Sequence, residues 1–494
     1  MNVADRLTEH ARNQPDHPAI EDGERIVRYG ELDGLVNDAC ANLQGLGIEA
    51  GDMVLVMLPD SADHLIIICA LLRAGAVILS LSDRLPDVEL ERNIKMLPVK
   101  AMIASSGRFP LAGVPLLDLS NICCKAAGPF NAPDTSEGDP ALLLQSSGTT
   151  GVPKSILRSH SQALVWIHRW MMINCWVSTD RSLNLTPMSF NTGRDVCLGI
   201  LHVGATVVIN HSHSLDNLVD FVRNKGITYL KLAPSHLGPL LDYPVDKPPL
   251  FPDVRAMVVS SAPTTHAQRL LARQRLTLNT FEYMGATESG PLVYATPADQ
   301  DAYPDSVGRV VEGVVAEIVD GDGKPVPAGE VGLVRYRGPG LATGYLNNPE
   351  ATAQAFRDGW FYPGDLAALN EEGYLFFKGR ADDVINNSGA KYYPVEIETV
   401  LLAHPAVAEA AVFGIPHRRF GQVAAACVVT RAAVETQDLT EFCKQRLAGY
   451  KLPHVIMTVK EMPRNPMGKI LKTKLRDVLR RGIEKRKSIS KAKH

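Results

Sequence analysis

One glycine-rich stretch of this chain carries residue types that suit phosphate binding. A short apolar run at residues 142–144 leads into Gln-Ser-Ser-Gly-Thr-Thr-Gly-Val-Pro-Lys, which ends at Lys154. Glycines let the backbone approach a ligand, backbone N–H groups and hydroxyls donate to phosphate oxygens, and a lysine adds positive charge. The spacing is not that of a Walker loop, which has four residues between its first glycine and a Gly-Lys pair. Taken alone, such a stretch is equally typical of a plain surface loop.

Four later segments carry further hydroxyl, carboxylate and ammonium side chains that could bind a ligand. They are residues 260–263 (Ser-Ser-Ala-Pro), 284–288 (Met-Gly-Ala-Thr-Glu), 362–365 (Tyr-Pro-Gly-Asp) and 466–469 (Pro-Met-Gly-Lys). Carboxylate oxygens suit Mg²⁺ and can accept two hydrogen bonds from hydroxyl groups, and a long ammonium side chain neutralises transient negative charge. Each segment also has an ordinary explanation: a helix entry, a capped helix start, a Pro-Gly turn or a solvated lysine. Their occurrence together in one chain favours a functional role.

These segments resemble, in residue type and in order, the motifs of the adenylate-forming superfamily, and the resemblance covers nearly the whole chain. The family includes acyl- and aryl-CoA synthetases, adenylation domains of peptide synthetases, and luciferases. The resemblance implies an enzyme that makes an acyl-AMP from a carboxylic acid and ATP, releases pyrophosphate and passes the acyl group to a thiol. It also implies ATP, Mg²⁺ and CoA, or the phosphopantetheine of a carrier protein, as cofactors.

The resemblance assigns a role to each matching position. Lys469, Thr287 and Glu288 would be catalytic, and Glu288 would also bind Mg²⁺. Lys469 would bridge the substrate carboxylate and the α-phosphate, and Asp365 would hold the ribose hydroxyls. The remaining cofactor-binding positions are Ser146, Ser147, Gly148, Thr149, Thr150, Gly151, Lys154, Ser261, Ala262, Pro263, Met284, Gly285, Arg380 and Gly389.

The acyl pocket is assigned to residues that align with the mouth of the family's pocket, namely Phe190, Asn191, Gly193 and Ala286. Amino-acid-activating relatives carry an aspartate near Asn191 that holds the substrate ammonium. The absence of that charge argues against an α-amino acid as substrate. The small and apolar side chains, together with Cys197, indicate an apolar or aromatic acyl group.

Several functional alternatives remain open at this level. Met284 stands where most relatives have an aromatic residue, and Pro363 stands where the family usually has threonine. These two departures support a nucleotide-binding protein without turnover. A free-standing adenylating enzyme that loads a carrier protein is a second alternative, and luciferase-type oxidation is a third. Residues 393–398 (Tyr-Pro-Val-Glu-Ile-Glu) have the proline form typical of CoA ligases, which favours CoA as acceptor.

The alternation of short apolar strands with helical patterns predicts an α/β fold, with sites at the carboxyl ends of strands. We expect a large N-terminal domain, residues 1–379, made of α/β subdomains plus a small β-barrel in the glycine-punctuated region 306–345. A small, mobile α+β C-terminal domain, residues 382–494, would carry the catalytic lysine. The hinge is predicted near residues 380–382, at Asp382, and the hairpin containing Gly389 would line the thiol tunnel.

Composition limits the remaining possibilities. The chain has 494 residues, 45% hydrophobic and 21% charged, as expected for a globular protein of two or three domains. A net charge of −3 does not indicate a nucleic-acid binder. Eight cysteines without a CxxC pair indicate reduced thiols and a cytoplasmic protein. No signal peptide is recognisable, and the apolar run at residues 65–72 is far below the ~20 residues that span a bilayer. Monomer and homodimer both remain open.

Overall fold

The computed structural model describes residues 2–105, 113–146, 153–211, 214–245, 247–260, 264–388, 390–464 and 470–479. Within these ranges every helix is too short or too polar to cross a lipid bilayer. Two large sheets with covering helices form the N-terminal domain, and a third sheet forms the core of a smaller C-terminal domain. The predicted α/β class with a large and a small domain is therefore confirmed.

The first part of the chain builds a six-stranded sheet with the order β6-β5-β3-β4-β7-β8. Its central strands, β3 and β4, are apolar at nearly every position and buried on both faces, as in most parallel sheets. Ser61 begins the helix between β3 and β4 by accepting a hydrogen bond from the His64 N–H at 3.1 Å. The elements are α1 (Asp5–Asn13), β1 (Pro18–Asp22), β2 (Arg25–Arg28), α2 (Tyr29–Gly45), β3 (Met53–Met57), α3 (Ala62–Arg73), β4 (Val77–Ser80), α4 (Asp87–Ile94), β5 (Val99–Ala104), β6 (Leu116–Leu117), α5 (Leu119–Ile122), β7 (Pro140–Ser146) and β8 (Lys154–Ser159).

The glycine-rich stretch lies between β7 and β8, which pair antiparallel with Ser146 opposite Lys154. The pattern after Lys154 is typical of a helix from about residue 159, but the structure places the strand β8 before that helix. The helix begins at His160, where the Ser159 and Gln162 side chains form a capping box. The chain therefore returns along the sheet before it becomes helical, and Lys154 is placed at the first position of the returning strand.

The second sheet has fifteen strands, and its parallel part is β1, β10, β9, β11, β12 and β13 in spatial order. Because these strands run in one direction, their carboxyl ends meet at one edge, where ligands bind in open α/β sheets. Helices α6 and α7 cover one face of this part. The elements are α6 (His160–Asn174), β9 (Arg181–Asn184), α7 (Asn191–His202), β10 (Thr206–Ile209), α8 (Leu215–Asn224), β11 (Tyr229–Leu232), α9 (Pro234–Asp242), β12 (Ala256–Val259), α10 (His266–Arg275) and β13 (Thr280–Ala286).

The remaining strands of this sheet are antiparallel. They are hydrogen-bonded onto the parallel part through β13 and β14. Glycine punctuation predicts tight turns between short strands, but it does not determine which edge those strands join. The elements are β14 (Gly290–Ala295), α11 (Pro297–Ala302), β15 (Gly308–Val310), β16 (Val315–Val319), β17 (Gly332–Arg337), α12 (Pro349–Ala355), β18 (Phe356–Arg357), β19 (Trp360–Phe361), β20 (Asp365–Leu369) and β21 (Tyr374–Arg380).

The C-terminal domain follows a short 3₁₀ turn at Ala381–Asp383. Its five-stranded sheet packs helix α13 on one face, and helical residues 472–479 contribute Leu475 and Leu479 to a second apolar cluster. Both clusters consist of residues from this domain, so it has its own core. The elements are β22 (Ile385–Asn387), β23 (Ala390–Tyr392), α13 (Pro394–Leu402), β24 (Val407–His417), β25 (Gly421–Thr430), α14 (Thr436–Lys444) and β26 (Val455–Thr458).

Candidate active site

Thr287 and Glu288 lie in the tight turn between β13 and β14, at the carboxyl edge of the large sheet. The turn is a β-hairpin, not the helix start that the sequence alone also allowed. Gly285 is required there, because a Cβ atom at this position would lie 2.1 Å from the Gly290 carbonyl oxygen. The Ala286 N–H donates to the Ser289 hydroxyl at 3.2 Å. These contacts hold the two candidate catalytic side chains on a rigid support.

Helix α6 fixes this turn from the other side. The Arg169 guanidinium donates to the Ser289 carbonyl oxygen at 3.1 Å, and the Trp166 indole donates to the Gly340 carbonyl oxygen at 2.7 Å. Gly290 has a φ of +66°, and a Cβ there would lie 2.6 Å from the Trp166 ring. The helix that follows the glycine-rich stretch therefore positions the turn that carries Glu288.

Glu288 and Lys154 approach each other through a residue that the sequence analysis did not assign, Tyr345. The Tyr345 hydroxyl donates to Glu288 Oε1 at 2.7 Å, and the Lys154 ammonium lies 4.8 Å from the centre of the Tyr345 ring. Burial and the adjacent carboxylate raise the pKa of Tyr345 well above its ordinary value, so its proton stays in place. A lysine from one sheet and a glutamate from the other thus share one aromatic support.

Glu288 has the chemistry expected of a Mg²⁺ ligand. Among the described residues no group of three or more His, Cys, Asp or Glu side chains could hold a metal ion. Mg²⁺ commonly takes one or two protein carboxylates and completes its shell with water and substrate phosphates. Glu288 uses Oε1 to accept the Tyr345 hydrogen bond, so its second oxygen and phosphate oxygens would suffice for such an ion.

Asp365 and Arg380 are brought together by direct pairing of β20 and β21. Arg380 Nη1 donates to Asp365 Oδ1 at 3.0 Å and to the Pro363 carbonyl oxygen at 2.5 Å, while its Nε donates to Asp382 Oδ1 at 3.3 Å. Gly364 has a φ of +83°, and a Cβ there would lie 3.0 Å from the Arg380 guanidinium. The predicted ribose ligands are therefore neighbours, and they border the predicted hinge.

Phe190, Asn191 and Gly193 form the start of helix α7, which faces the carboxyl edge of the parallel strands. A Cβ on Gly193 would lie 2.2 Å from the Thr186 carbonyl oxygen, so only glycine allows the helix to begin this close to the preceding loop. Asn191 Oδ1 accepts a hydrogen bond from Arg194 Nη2 at 3.2 Å. The amide thus acts as an acceptor for a protein cation. Ala286 is the last residue of β13.

Met284 and Tyr283 project to opposite faces of β13, as successive residues of a strand do. Met284 packs against the apolar cluster of the antiparallel strands, which contains Leu292 and Val334. Tyr283 faces helix α6, where its ring meets Trp170 edge-on at 4.4 Å between centroids. Of these two side chains, Tyr283 therefore lies on the face of the sheet that is covered by α6 and α7.

Several buried charged residues near α7 were not identified from the sequence. Arg158 makes a two-pronged ion pair with Asp195 at 2.8 and 2.6 Å, and Arg194 Nε lies 3.6 Å from the same carboxylate. Lys231, on β11, donates to the Tyr283 hydroxyl at 2.8 Å. The one available signal was a lysine inside the otherwise apolar strand Tyr-Leu-Lys-Leu, because charged residues seldom occur in buried strands.

Some predicted site residues lie outside the described part of the chain. They are Ser147, Gly148, Thr149, Thr150, Gly151, Ser261, Ala262, Pro263, Gly389 and Lys469. For Ser146 the structure gives the backbone pairing but not the side chain. Their assigned roles stay predictions.

The comparison with known proteins covers both domains. Residues 7–346 match the model of the AMP-binding enzyme family, and residues 396–469 match its C-terminal domain model. A 2-succinylbenzoate–CoA ligase of Bacillus cereus is 29% identical over 96% of this chain and 98% of its own. A feruloyl-CoA synthase of Amycolatopsis is 30% identical over 94% of this chain and 96% of its own.

Solved structures of similar overall fold and length are also found. The O-succinylbenzoate coenzyme A synthetase (MenE) of Bacillus subtilis, in complex with ATP and magnesium ion, has a TM-score of 0.86 at 25% identity. The match covers 95% of this chain and 99% of that one. This chain therefore belongs to the AMP-binding enzyme family.

Proposed function

We propose that the chain is an AMP-forming acid–CoA ligase for an aromatic or other largely apolar carboxylic acid. In the first step a carboxylate oxygen of the acid attacks the α-phosphorus of ATP, and pyrophosphate leaves. In the second step the CoA sulfur attacks the carbonyl carbon of the acyl-AMP, its proton is lost to solvent, and AMP leaves. The same-length relatives that form CoA thioesters support this reaction class.

The observation that carries the proposal is the convergence of Glu288, Tyr345 and Lys154 at the carboxyl edge of the large sheet. Adenylation brings two anions together, so the protein must supply positive charge and oriented donors in place of a nucleophile. Lys154 supplies charge near the phosphates. Glu288 would hold Mg²⁺, which neutralises phosphate oxygens when it is bound.

Lys469 and the Asp365–Arg380 pair have complementary roles in this proposal. Lys469 neutralises the charge that accumulates between the attacking carboxylate and the α-phosphate. Asp365 accepts hydrogen bonds from the ribose hydroxyls, and Arg380 orients that carboxylate from the neighbouring strand at 3.0 Å. Thr287, in the same turn as Glu288, donates its hydroxyl to an α-phosphate oxygen.

CoA is the proposed thiol, and the phosphopantetheine of a carrier protein is the alternative. The helix that starts with Pro394 has the sequence form of CoA ligases, which supports CoA as the acceptor. All eight cysteines are free thiols, which supports the proposed cytoplasmic location.

The test is acid-dependent ATP–pyrophosphate exchange followed by thioester formation with CoA or with a phosphopantetheinylated carrier protein. We expect exchange with aromatic acids, thioester formation with CoA, and loss of exchange in the Lys469→Ala variant. Exchange that is unchanged without Lys469 would contradict its catalytic role. Binding of ATP without exchange for any acid would instead support the nucleotide-binding alternative.

A further inference from the structure

Two buried arginines contact one carboxylate beside the predicted acyl pocket, and a buried lysine acts on the same carboxylate electrostatically without contacting it. We call Arg158, Arg194 and Lys231 the buried cation cluster, and the shared carboxylate belongs to Asp195. Burial opposes ionisation of Asp195, but the three cations together lower its pKa. All three cationic side chains are at most 5% exposed. Three positive charges against one negative charge leave an excess of two in a region shielded from water.

The next carboxylate does not balance this excess. Asp60 borders the cluster through His64, whose Nδ1 lies 4.0 Å from Asp60 Oδ1. Burial and the nearby Arg194 lower the pKa of His64 to about 4, so that ring is neutral at pH 7. Asp60 accepts hydrogen bonds from Asn184 and from the Met188 N–H. Even if the charge of Asp60 is counted in full, the described part of the chain leaves one positive charge of the cluster without a contacting carboxylate.

The cluster also contains donors without acceptors. Arg194 is fully buried, and its Nε and Nη1 atoms have no hydrogen-bond partner among the described residues. Among the described residues, the Lys231 ammonium donates a hydrogen bond to the Tyr283 hydroxyl alone. Its contacts with the Trp170 and Tyr283 rings, at 5.1 and 5.0 Å, hold the ammonium in position without neutralising it. Buried charges in proteins are normally paired, so such an arrangement favours an anionic ligand.

The position of Lys231 indicates which ligand that is. It lies near the carboxyl end of β11, and its partner Tyr283 lies on β13 four residues before Thr287. At about 3.3 Å per strand residue, Tyr283 is roughly 10 Å from the end of β13, which leads into the predicted catalytic turn. One end of an acyl group can therefore reach the turn while its other end reaches Lys231.

From this arrangement we propose that the acid substrate carries a second anionic group, a carboxylate. This carboxylate is bound by Tyr283 and by Lys231, the lysine of the buried cation cluster. The inference rests on the proposed ligase function and specifies its substrate class. The Tyr283 hydroxyl accepts from Lys231 and so keeps its own proton available to donate. Only the first carboxylate, at the catalytic turn, is activated, and the second remains ionised throughout the reaction.

The experiment compares acids that differ in the second group alone. Suitable probes are 3-phenylpropanoate, the three 3-(carboxyphenyl)propanoate isomers and their carboxamide counterparts, assayed by ATP–pyrophosphate exchange. We expect kcat/KM for at least one dicarboxylate to exceed that of its amide by roughly 10- to 100-fold, as for a charged hydrogen-bonded pair. In Lys231→Met that ratio should fall towards one, and Tyr283→Phe should lower it less. The exposed Lys100→Met should keep the wild-type ratio.

If the enzyme shows no turnover, binding of the same probes still tests the inference. Thermal unfolding of the whole protein is followed with each probe, and a dicarboxylate should raise the midpoint more than its amide does, in the wild type but not in Lys231→Met. Exchange with monoacids or amides at equal or higher efficiency would overturn the second-carboxylate inference and leave the ligase function standing. Stabilisation by a dicarboxylate without any exchange would overturn the ligase function alone. Absence of both exchange and selective stabilisation would overturn both.

Discussion

At the scale of single residues, Tyr345 is the contact that joins the two halves of the candidate site. Its hydroxyl orients Glu288 and its ring supports Lys154, although neither partner is near it in sequence. A carboxylate with a fixed orientation presents its second oxygen to a metal ion in one direction, and residues that orient a ligand affect metal binding. Tyr345 is therefore a positioning residue in the proposed reaction.

The Tyr345→Phe variant tests this role. It keeps the ring under Lys154 but removes the hydrogen bond to Glu288, so we expect the KM for Mg²⁺·ATP to rise roughly 10-fold. The measurement is ATP–pyrophosphate exchange at varied Mg²⁺. Tyr303→Phe is a matched control, because Tyr303 also pairs its hydroxyl with a glutamate, Glu372. An equal response of the two variants would show that Tyr345 has no special role.

His64 predicts how stability depends on pH. Burial lowers its pKa from 6.5 to about 4, so between these values the unfolded chain binds a proton that the folded protein does not. Stability is therefore full above pH 6.5 and falls as the pH drops towards 4, by up to about 1.4 kcal/mol per pH unit from this residue.

The His64→Gln variant should lose stability less steeply than the wild type over this range. Thermal unfolding midpoints measured from pH 8 to pH 4.5 provide the comparison. The two curves should be parallel above pH 7, where the histidine is neutral in both states, and should converge below pH 6.5. Parallel curves over the whole range would exclude His64 as a source of the pH dependence.

At the scale of elements, the start of helix α7 is decided by one close backbone contact. Gly193 lets the helix begin directly against the carbonyl groups of Thr186 and Pro187. The next two residues, Arg194 and Asp195, belong to the buried charged group, so the position of the helix determines where those charges lie. A small shift of this element therefore changes the predicted acyl pocket and its electrostatics together.

We expect Gly193→Ala to destabilise the protein by about 1–3 kcal/mol, or more where the backbone cannot shift, and to raise the KM for the acid. Thermal unfolding and exchange kinetics measure the two effects. Gly34→Ala, in helix α2, is the control, since a Cβ there meets nothing within 4 Å. That variant should be neutral or more stable by up to about 1 kcal/mol. A Gly193→Ala variant as stable and active as the wild type would contradict the role of this contact.

At the scale of the whole molecule, a C-terminal domain with its own core follows a short linker. Arg431 and Asp242 form an ion pair between the domains at 3.6 Å, with 39% and 60% of their side chains exposed. Exposed pairs of this kind contribute about 0–1 kcal/mol. Such a weak link is compatible with the predicted movement of this domain between the two half-reactions, with the hinge at Asp382.

The Asp382→Pro variant tests the hinge prediction, because proline restricts both its own φ and the conformation of Ala381 before it. The two half-reactions are measured as ATP–pyrophosphate exchange and as thioester formation from preformed acyl-AMP. We expect their rates to fall unequally, so that the ratio of the two rates changes by on the order of 10-fold or more. Asp382→Ala keeps backbone freedom and should affect both steps similarly. An equal loss of both steps in Asp382→Pro would place the hinge elsewhere.

The sequence by itself determined the local features of this protein. Apolar runs predict β3 and β4 and, in the large sheet, β10, β11 and β12. Ser61 and Thr265 are typical helix-capping residues, and each caps the helix that follows it. These features depend on residues within a few positions of each other. The motif residues were recognisable for the same reason, since each motif is a short contiguous segment.

Only the tertiary structure decided which distant side chains meet. Glu288 and Tyr345 are 57 residues apart, Lys231 and Tyr283 are 52 apart, and Arg158 and Asp195 are 37 apart. Such pairs depend on strand order, register and the direction of each side chain, which no local pattern encodes. The joining of the antiparallel strands to the large sheet was undetermined for the same reason. The excess of buried positive charge likewise depends on how the fold places Lys231 relative to α7.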